Sequence, residues 1–406
     1  MRILMLAQSF APVIGGEERV VENLSGELAA RGHEVAIATL KQPGVEPSPV
    51  PGVRIHALRS TVARASGGGA ERLYAPPFPD PETVRDLRRV LREERPDIVH
   101  AHNWIVHSYL PLSRRSEAAL VLSLHDYGLI CPTKRLLRNG AVCDGPGPLR
   151  CLANAGRQYG AARGTLITVA TRTRERGVRG GVDLFLPISS TVAELCRLGP
   201  EDHYRLTPNF IGELPSPPAE ESGLEELPGE PFALYFGDLT EDKGVRLLVD
   251  VYAKLEGAPP LVLIGRDHLG EAARRPGVLA LGPRPYPIAI EALRRSLFSV
   301  APSIWAEPFG MVALEAAKAG KPIVASDIGG LRDIVVDGET GLLFPAGDAE
   351  RLAAALRTMI DDPALRARMG PAAAARAQDV FSADVLVPQV EESYELAIGL
   401  RRDRAG

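Results

Sequence analysis

The first forty residues constrain this chain most. Residues 3–6 read Ile-Leu-Met-Leu, a short apolar run of the kind found in strands buried on both faces. A loop with a glycine pair, Gly15-Gly16, follows. Residues 17–31 then put Val20, Val21, Leu24, Leu28 and Ala29 on one helical stripe, and Gly32 closes that helix. Residues 35–40 read as a second strand. A strand, a helix and a strand at this spacing make a βαβ unit, and such units repeat into a parallel sheet with right-handed crossovers.

The alternation continues along the chain. Residues 97–102 end a third strand, residues 120–124 make a fourth, and residues 184–189 make another, with Ser189 or Ser190 capping the next helix. Residues 212–231 are rich in Pro and Glu and poor in apolar side chains, which marks a linker. A second alternation has strands at 232–237, 261–264, 278–281, 297–301 and 323–325. Its helices fall at 246–255, 312–319, 348–360 and 363–377. The expected fold class is therefore α/β, with two Rossmann-like domains whose parallel sheets face an interdomain cleft. The expected boundaries are 1–212 for the first domain, 213–230 for the linker and 231–384 for the second domain. An amphipathic helix is expected at 385–406. Ligands of such sheets sit beyond the carboxyl ends of the strands.

A chain of 406 residues is long enough for two cores, and 45% hydrophobic with 24% charged residues is an ordinary globular balance. A net charge of −4 gives no overall attraction for nucleic acid. The apolar run at the start is too short for a secretory signal, and no apolar stretch reaches about 18 residues. Four cysteines without an export signal fit a reducing, cytoplasmic compartment with free thiols. Cys131, Cys143 and Cys151 cluster in sequence, but their spacing is not that of a zinc knuckle. A structural metal and a disulfide are the alternatives weighed there.

The stretch most able to do chemistry is 303–315, Ser-Ile-Trp-Ala-Glu-Pro-Phe-Gly-Met-Val-Ala-Leu-Glu. A strand ends before it, a loop carries Glu307, and a helix opens near Gly310. The free amides and positive dipole end of that helix suit an anion or a polarised hydroxyl. Glu307 precedes the helix and Glu315 lies inside it, so the two carboxylates can address opposite ends of one elongated ligand. A carboxylate accepts two hydroxyl hydrogen bonds, which suits sugar rings.

With these residues in view, the chain resembles the family 4 retaining glycosyltransferases of the GT-B fold. The resemblance rests on Glu307 and Glu315, Gly320-Lys321-Pro322, Gly329-Gly330, Asp337-Gly338 and Gly341. It also rests on Gly15-Gly16 with residues 31–35, on His125-Asp126, Asn209 and Lys243-Gly244. It implies that Glu315 binds the ribose of a nucleotide and Glu307 the hydroxyls of the transferred sugar. Backbone amides of Phe309, Gly310, Met311 and Val312 would line the sugar and phosphate site. Lys243 would neutralise the departing diphosphate, Gly16 would approach the phosphates, and His125 would sit over the reacting sugar. The resemblance likewise implies that 1–212 is the acceptor domain and 231–384 the donor domain, and that the helix at 385–406 packs back on the first domain. Where the family carries Arg after the glycine of the first strand in the second domain, this chain has Asp238. Arg266, at the end of the next strand, is expected to supply that guanidinium.

The function so implied is transfer of a sugar, with retention, from a nucleoside-diphosphate sugar to a hydroxyl of an acceptor by front-face attack. The nucleotide sugar is substrate, and no cofactor or metal is expected. A nucleotide-sugar epimerase or hydrolase and a non-catalytic binding module remain the other readings. The arginines within 163–179 (Arg163, Arg172, Arg174, Arg176 and Arg179) suggest a peripheral contact with the inner face of a membrane. Acceptor choice is expected from loops 63–81 and 132–150.

Overall fold

The computed structural model describes residues 1–12, 15–42, 44–62, 74–138, 140–216, 224–270 and 274–405. Much of loop 63–81 and the middle of the expected linker, 217–223, lie outside the described residues, as do residues 13 and 14 of the first loop. The chain divides into two compact units. One comprises Met1–Leu136, Cys143–Asn209 and Ala383–Gly406, and the other Leu137–Val142 and Phe210–Ser382.

The first unit runs β1 (Arg2–Ala7), α1 (Gly16–Ala30), β2 (Glu34–Leu40), β3 (Val53–Leu58), α2 (Pro81–Glu94), β4 (Ile98–His102), α3 (Val106–Ser113) and β5 (Ala119–Leu124). A short hairpin, β6 (Leu137–Arg138) and β7 (Ala141–Val142), belongs to the second unit. The first unit resumes with α4 (Pro148–Tyr159), α5 (Ala161–Gly181), β8 (Leu184–Pro187) and α6 (Ser190–Leu195). Its sheet is parallel, in the order β3-β2-β1-β4-β5-β8. The strand-forming runs are those with apolar residues on both faces: β1 from Ile3 to Ala7, β4 and β5 are buried throughout, as a sheet covered on both sides requires.

Local signals set the helix ends. Gly32, at φ +88°, follows α1, and the amide of His33 returns to the carbonyl of Leu28. The Ser189 hydroxyl accepts from the amide of Val192 at 3.1 Å and starts α6, as expected. Asp80 caps α2 by accepting from the amides of Glu82 and Thr83, each at 3.1 Å, ahead of Pro81. Burial works to raise the Asp80 carboxyl, but hydrogen bonds from Thr61, Val62, Thr83 and Ser60 outweigh it and hold the group below its ordinary range.

Several elements were absent from the sequence reading, β3 and α5 among them. The strand at 98–102 is the fourth, because β3 precedes it. At the sheet edge β3 is only partly buried, so its apolar residues, Val53 and Ile55, alternate with Arg54 and His56 rather than run together. The basic stretch 163–179 belongs to α5, which begins directly after α4.

The second unit repeats the plan: β9 (Ala233–Phe236), α7 (Val245–Tyr252), β10 (Leu261–Ile264), β11 (Val278–Gly282), α8 (Tyr286–Arg295), β12 (Phe298–Ala301), α9 (Met311–Lys318), β13 (Ile323–Ser326), α10 (Leu331–Ile334), β14 (Gly341–Phe344), α11 (Ala349–Asp361) and α12 (Pro363–Phe381). The sheet order, β11-β10-β9-β12-β13-β14, has the same reversal as the first unit. Leu248, Leu261, Leu263, Phe298, Val300, Val324 and Leu352 form its core. Each such side chain, fully buried, contributes about 1.5–3 kcal/mol. The described flanks of the linker are not free of this unit. Leu224 and Leu227 are buried, Arg284 reaches Glu226 at 2.6 Å, and Arg294 donates to the carbonyl of Pro215 at 2.7 Å.

The last helix, α13 (Ala383–Ala405), belongs to the first unit. Tyr394 is wholly buried and bonds to Nδ1 of His100 at 2.8 Å. Glu391 meets Nε2 of His33 at 2.8 Å, and Arg404 reaches Asp183 at 3.1 Å. No helix among the described residues is long and apolar enough to cross a membrane. The four cysteines are free thiols, and among the described residues no group of three or more potential ligands is arranged around a metal position.

Candidate active site

Both sheets reverse direction between their first and fourth strands, and at such a switch point the loops leaving the two strands diverge and leave a crevice at the carboxyl edge. In the second unit that point is between β9 and β12. Two glycines let the loops there come together. Gly244, at φ +70°, starts α7, and a Cβ on it would overlap the carbonyl oxygen of Pro302. Gly329, at φ +63°, lies against the backbone of Glu307, and the amide of Gly330 donates to the Glu307 carbonyl at 2.7 Å. Ile304 closes the other side by donating to the carbonyl of Asp242 at 3.0 Å. Any side chain at Gly244 or Gly329 would push these loops apart.

The result is a charged cluster at the start of α9. Glu307 is only 6% exposed and forms an ion pair with Nζ of Lys243. Its second carboxylate oxygen lies against Gly310, the residue at φ +99° that starts α9. The carboxylate thus sits where the helix dipole favours negative charge, with an ammonium on its other side. Nζ of Lys243 is also 5.5 Å from the centre of the Trp305 ring. Phe309, Gly310, Met311 and Val312 form the entry to α9, where the positive end of the helix dipole lies. Glu315, in the second turn, is 2% exposed and accepts from the Tyr286 hydroxyl at 2.9 Å. The structure therefore brings Lys243, Glu307 and the opening of α9 into direct contact, and places Glu315 farther along the same helix.

Asp238 and Arg266 pair with each other. Two hydrogen bonds of 3.0 and 2.8 Å join the guanidinium to the carboxylate across the ends of β9 and β10. Burial pulls the Asp238 carboxyl upward, but the bonds and charge of Arg266, with the charges of His268 and Lys243, keep it below its usual range. The acid after Gly237 is thus neutralised by the base from the neighbouring strand.

In the first unit the same edge carries a second connected group. Glu17, at the start of α1, accepts from Gln8 at 3.2 Å and from Asn103 at 2.7 Å, and Ser9 bonds to Glu18. Asn103 in turn accepts from the amide of His125 at 3.4 Å. Nε2 of His125 lies 2.8 Å from Nδ1 of His102, and the rings are stacked at 5.1 Å. Enclosure by its neighbours, and then the charge of Lys134, pull His125 down to about 3, so it is neutral at ordinary pH. Lys134 is held over the Trp104 ring at 4.3 Å and pairs with Asp126 at 3.4 Å. Gly16 is the first residue of α1, next to Glu17 and Glu18.

Sequence reasoning singled out His125, Lys243, Glu307 and Glu315 and did not anticipate their contacts with His102, Asn103, Trp305 and Tyr286. Asn103 has a visible signal, a polar residue just past a buried strand. Tyr286 has none, because 29 residues separate it from the carboxylate it serves.

Comparison with known proteins agrees with this arrangement of two sheets and a charged switch point. The family described as glycosyl transferases group 1 matches residues 219–376, and that described as glycosyltransferase family 4 matches residues 14–212. A glycogen synthase of Mycobacterium tuberculosis is 30% identical over 97% of this chain and 94% of its own. This chain belongs to the family 4, group 1 glycosyltransferases. A D-inositol 3-phosphate glycosyltransferase of Pseudarthrobacter chlorophenolicus is 29% identical over 90% of this chain and 86% of its own. Among solved structures, a sucrose-phosphate synthase from Thermosynechococcus elongatus superposes with a TM-score of 0.72 at 22% identity, covering 97% of this chain and 98% of that one. Anabaena HepE, crystallised with UDP and glucose, superposes at 0.68 with 18% identity, covering 97% and 99%. These likenesses show the GT-B fold of this glycosyltransferase.

Proposed function

We propose that this glycosyltransferase moves a sugar, with retention of configuration, from a nucleoside-diphosphate sugar to a hydroxyl of its acceptor. The observation that carries this reading is the meeting of Lys243, Glu307 and the start of α9 at the β9–β12 switch point. Breaking the bond between the anomeric carbon and the diphosphate puts negative charge on the leaving oxygen. A fixed ammonium and the amides opening a helix stabilise that charge more than the ground state. The acceptor oxygen forms its bond on the same face, and its proton passes to the departing phosphate. Glu307 receives the hydroxyls of the transferred sugar, and Glu315, steadied by Tyr286, receives those of the ribose. The backbone at Phe309, Gly310, Met311 and Val312 lines the sugar and phosphate site. Arg266, held by Asp238, adds a guanidinium to the same rim, and Gly16 brings the start of α1 to the phosphates. His125 offers a neutral imidazole to the reacting sugar. Two relatives support donors of this class: HepE is crystallised with UDP-glucose, and a plant starch synthase with ADP.

The test is a thermal-shift panel of nucleoside diphosphates and their sugars. A matching ligand at about 100 times its dissociation constant stabilises the protein by about 2.7 kcal/mol. Glu315→Ala is expected to abolish that shift. A protein unmoved by every nucleotide, at concentrations into the millimolar range, would remove the proposal.

The peripheral membrane contact is a second part of the proposal. On α5, Leu166 and Val169 are about half exposed on a helix that also carries the exposed Arg163, Arg172 and Arg176. Apolar side chains among arginines suit the surface of an anionic bilayer, at about 1 kcal/mol for each charge near it. Flotation on phosphatidylglycerol vesicles is expected for the native chain and to be lost in Leu166→Ser/Val169→Ser. No flotation of the native chain ends this part.

A further inference from the structure

The amino ends of the strands in the first unit carry no part of the site described above. Arg2 begins β1, Asp97 precedes β4, and Glu117 precedes β5. The carboxyl ends of α2, α3 and α13 arrive at the same edge. They enclose a groove of about 1140 Å³. Nine of its lining residues are arginines, and only Asp97 and Glu117 oppose them.

The acids do not balance this charge. Asp97 is taken by Arg2 at 2.8 Å, and Arg404 is taken by Asp183 at 3.1 Å. Arg401 donates to the carbonyls of Ser113 and Ser116, which carry no net charge. Arg92 donates only to the carbonyl of Arg88, at 3.4 Å. Among the described residues the side chains of Arg88, Arg95, Arg114, Arg115 and Arg402 make no ion pair and no hydrogen bond.

Basic residues at helix carboxyl ends ordinarily offset the helix dipole. Three helix ends supply roughly −1.5 charges in all. With Glu117 counted as well, that leaves about four positive charges over, so dipole compensation does not account for the cluster. A phosphate monoester carries about −1.5 to −2 charges near neutral pH, so two such groups match the excess. Guanidinium forks bind phosphate oxygens in pairs. Leu91, Pro111 and Ile398 add apolar side chains to the same lining. The whole chain carries −4, so the attraction is a property of this groove and not of the protein at large.

We propose that this groove, at the sheet edge opposite the one that carries His125, is a second ligand site for anions carrying two or more phosphate groups. The source is either a soluble polyphosphate or phosphorylated headgroups at a membrane surface. It does not depend on the assignment of the donor site.

The experiment uses the full chain and inorganic tripolyphosphate as probe, with Lys243→Ala as the control that reports any binding at the donor site. Calorimetry is expected to show one salt-sensitive binding event. Arg114→Ser/Arg115→Ser/Arg402→Ser is expected to weaken it at least tenfold without moving the melting temperature. If that variant melts early, Arg88→Ser/Arg92→Ser on the exposed face of α2 makes the same measurement. In a parallel arm, both proteins are floated on phosphatidylglycerol vesicles. Loss confined to the tripolyphosphate arm assigns a soluble ligand, and loss of flotation in the variant assigns a lipid-borne one. Equal binding by native and variant chains in both arms, or no binding in either, overturns the proposal.

Discussion

Lys243→Ala is expected to lower kcat/KM by about 10²- to 10³-fold, the usual loss when one preorganised charge partner of a developing anion is removed. Three features concentrate the effect on this residue. Its ammonium is held against a carboxylate that is itself nearly buried, so its position is fixed before any ligand arrives. Gly244 and Gly329 lock the two loops that carry the pair. The opening of α9 points positive charge at the same place, so the lysine and the helix act on one oxygen. Lys243→Arg keeps the charge but spreads it over a planar fork, and a partial recovery of about tenfold is the expected outcome. Steady-state rates with the nucleotide sugar found by the thermal-shift panel decide the matter. Because Lys243→Ala leaves the nearly buried Glu307 carboxylate without this partner, the melting temperature should fall as well, and rates are compared well below it. A Lys243→Ala enzyme within threefold of the native rate would refute the charge role. The Glu307→Gln variant and the double variant should show non-additive losses, since each single change disrupts the same pair.

The second large effect is on stability in mild acid. His100, His102 and His107 are each no more than 5% exposed. Burial pulls His100 and His107 down to about 3, helped by the charge of His125 at the first, and of Arg174 and Lys134 at the second. Burial, then the charges of His100 and His125, pull His102 well below its ordinary value. The sign follows from linkage. The unfolded chain binds protons at these groups below about pH 6.5 while the folded chain does not, so stability is full above that pH and falls as pH drops toward 3. At pH 5 a buried histidine held near 3 costs about 2 kcal/mol relative to pH 7.5, so His100 and His107 together cost about 4 kcal/mol, and the lowered His102 and His125 act in the same direction. That is a large part of the stability of an ordinary domain. The carboxylates Asp80, Asp86, Glu94 and Asp97 are all held below their usual range, so they titrate under this window and do not blur it. The raised carboxyl of Asp183 works in the opposite direction and reduces the slope somewhat. Urea unfolding at pH 7.5 and pH 5.0, read by circular dichroism, should show the loss, and His107→Leu should remove about 2 kcal/mol of it. Equal midpoints at the two pH values would show that the imidazoles titrate freely.

The buried histidines also show where sequence reading stops. His125 was visible as a histidine at a strand's end beside Asp126. Its partner His102 ends a different strand, 23 residues away, and nothing local ties the two together. Tyr394 meets His100 across 294 residues of chain. The same limit hid Tyr286 behind Glu315, and dispersed the arginine groove over positions from 2 to 404. By contrast, Glu307 and Glu315 were legible because a single loop and a single helix carry both. Asp238 and Arg266 were legible as a linked oddity, one strand end carrying an acid and the next a base. Only the coordinates showed that the two side chains bond to each other.

What the chain's order of residues determined by itself was the alternation of strand and helix and the places where glycine must stand. Apolar runs bounded by glycine leave few other ways to bury their faces, and a left-handed or crowded backbone position tolerates little else. What the tertiary structure alone decided was which charges meet. Electrostatic partners are chosen by distance in space, and the crossover connections of a parallel sheet carry neighbours far apart in sequence to the same edge. Lys243 against Glu307, and His102 against His125, exist as pairs only once both sheets have closed on their switch points.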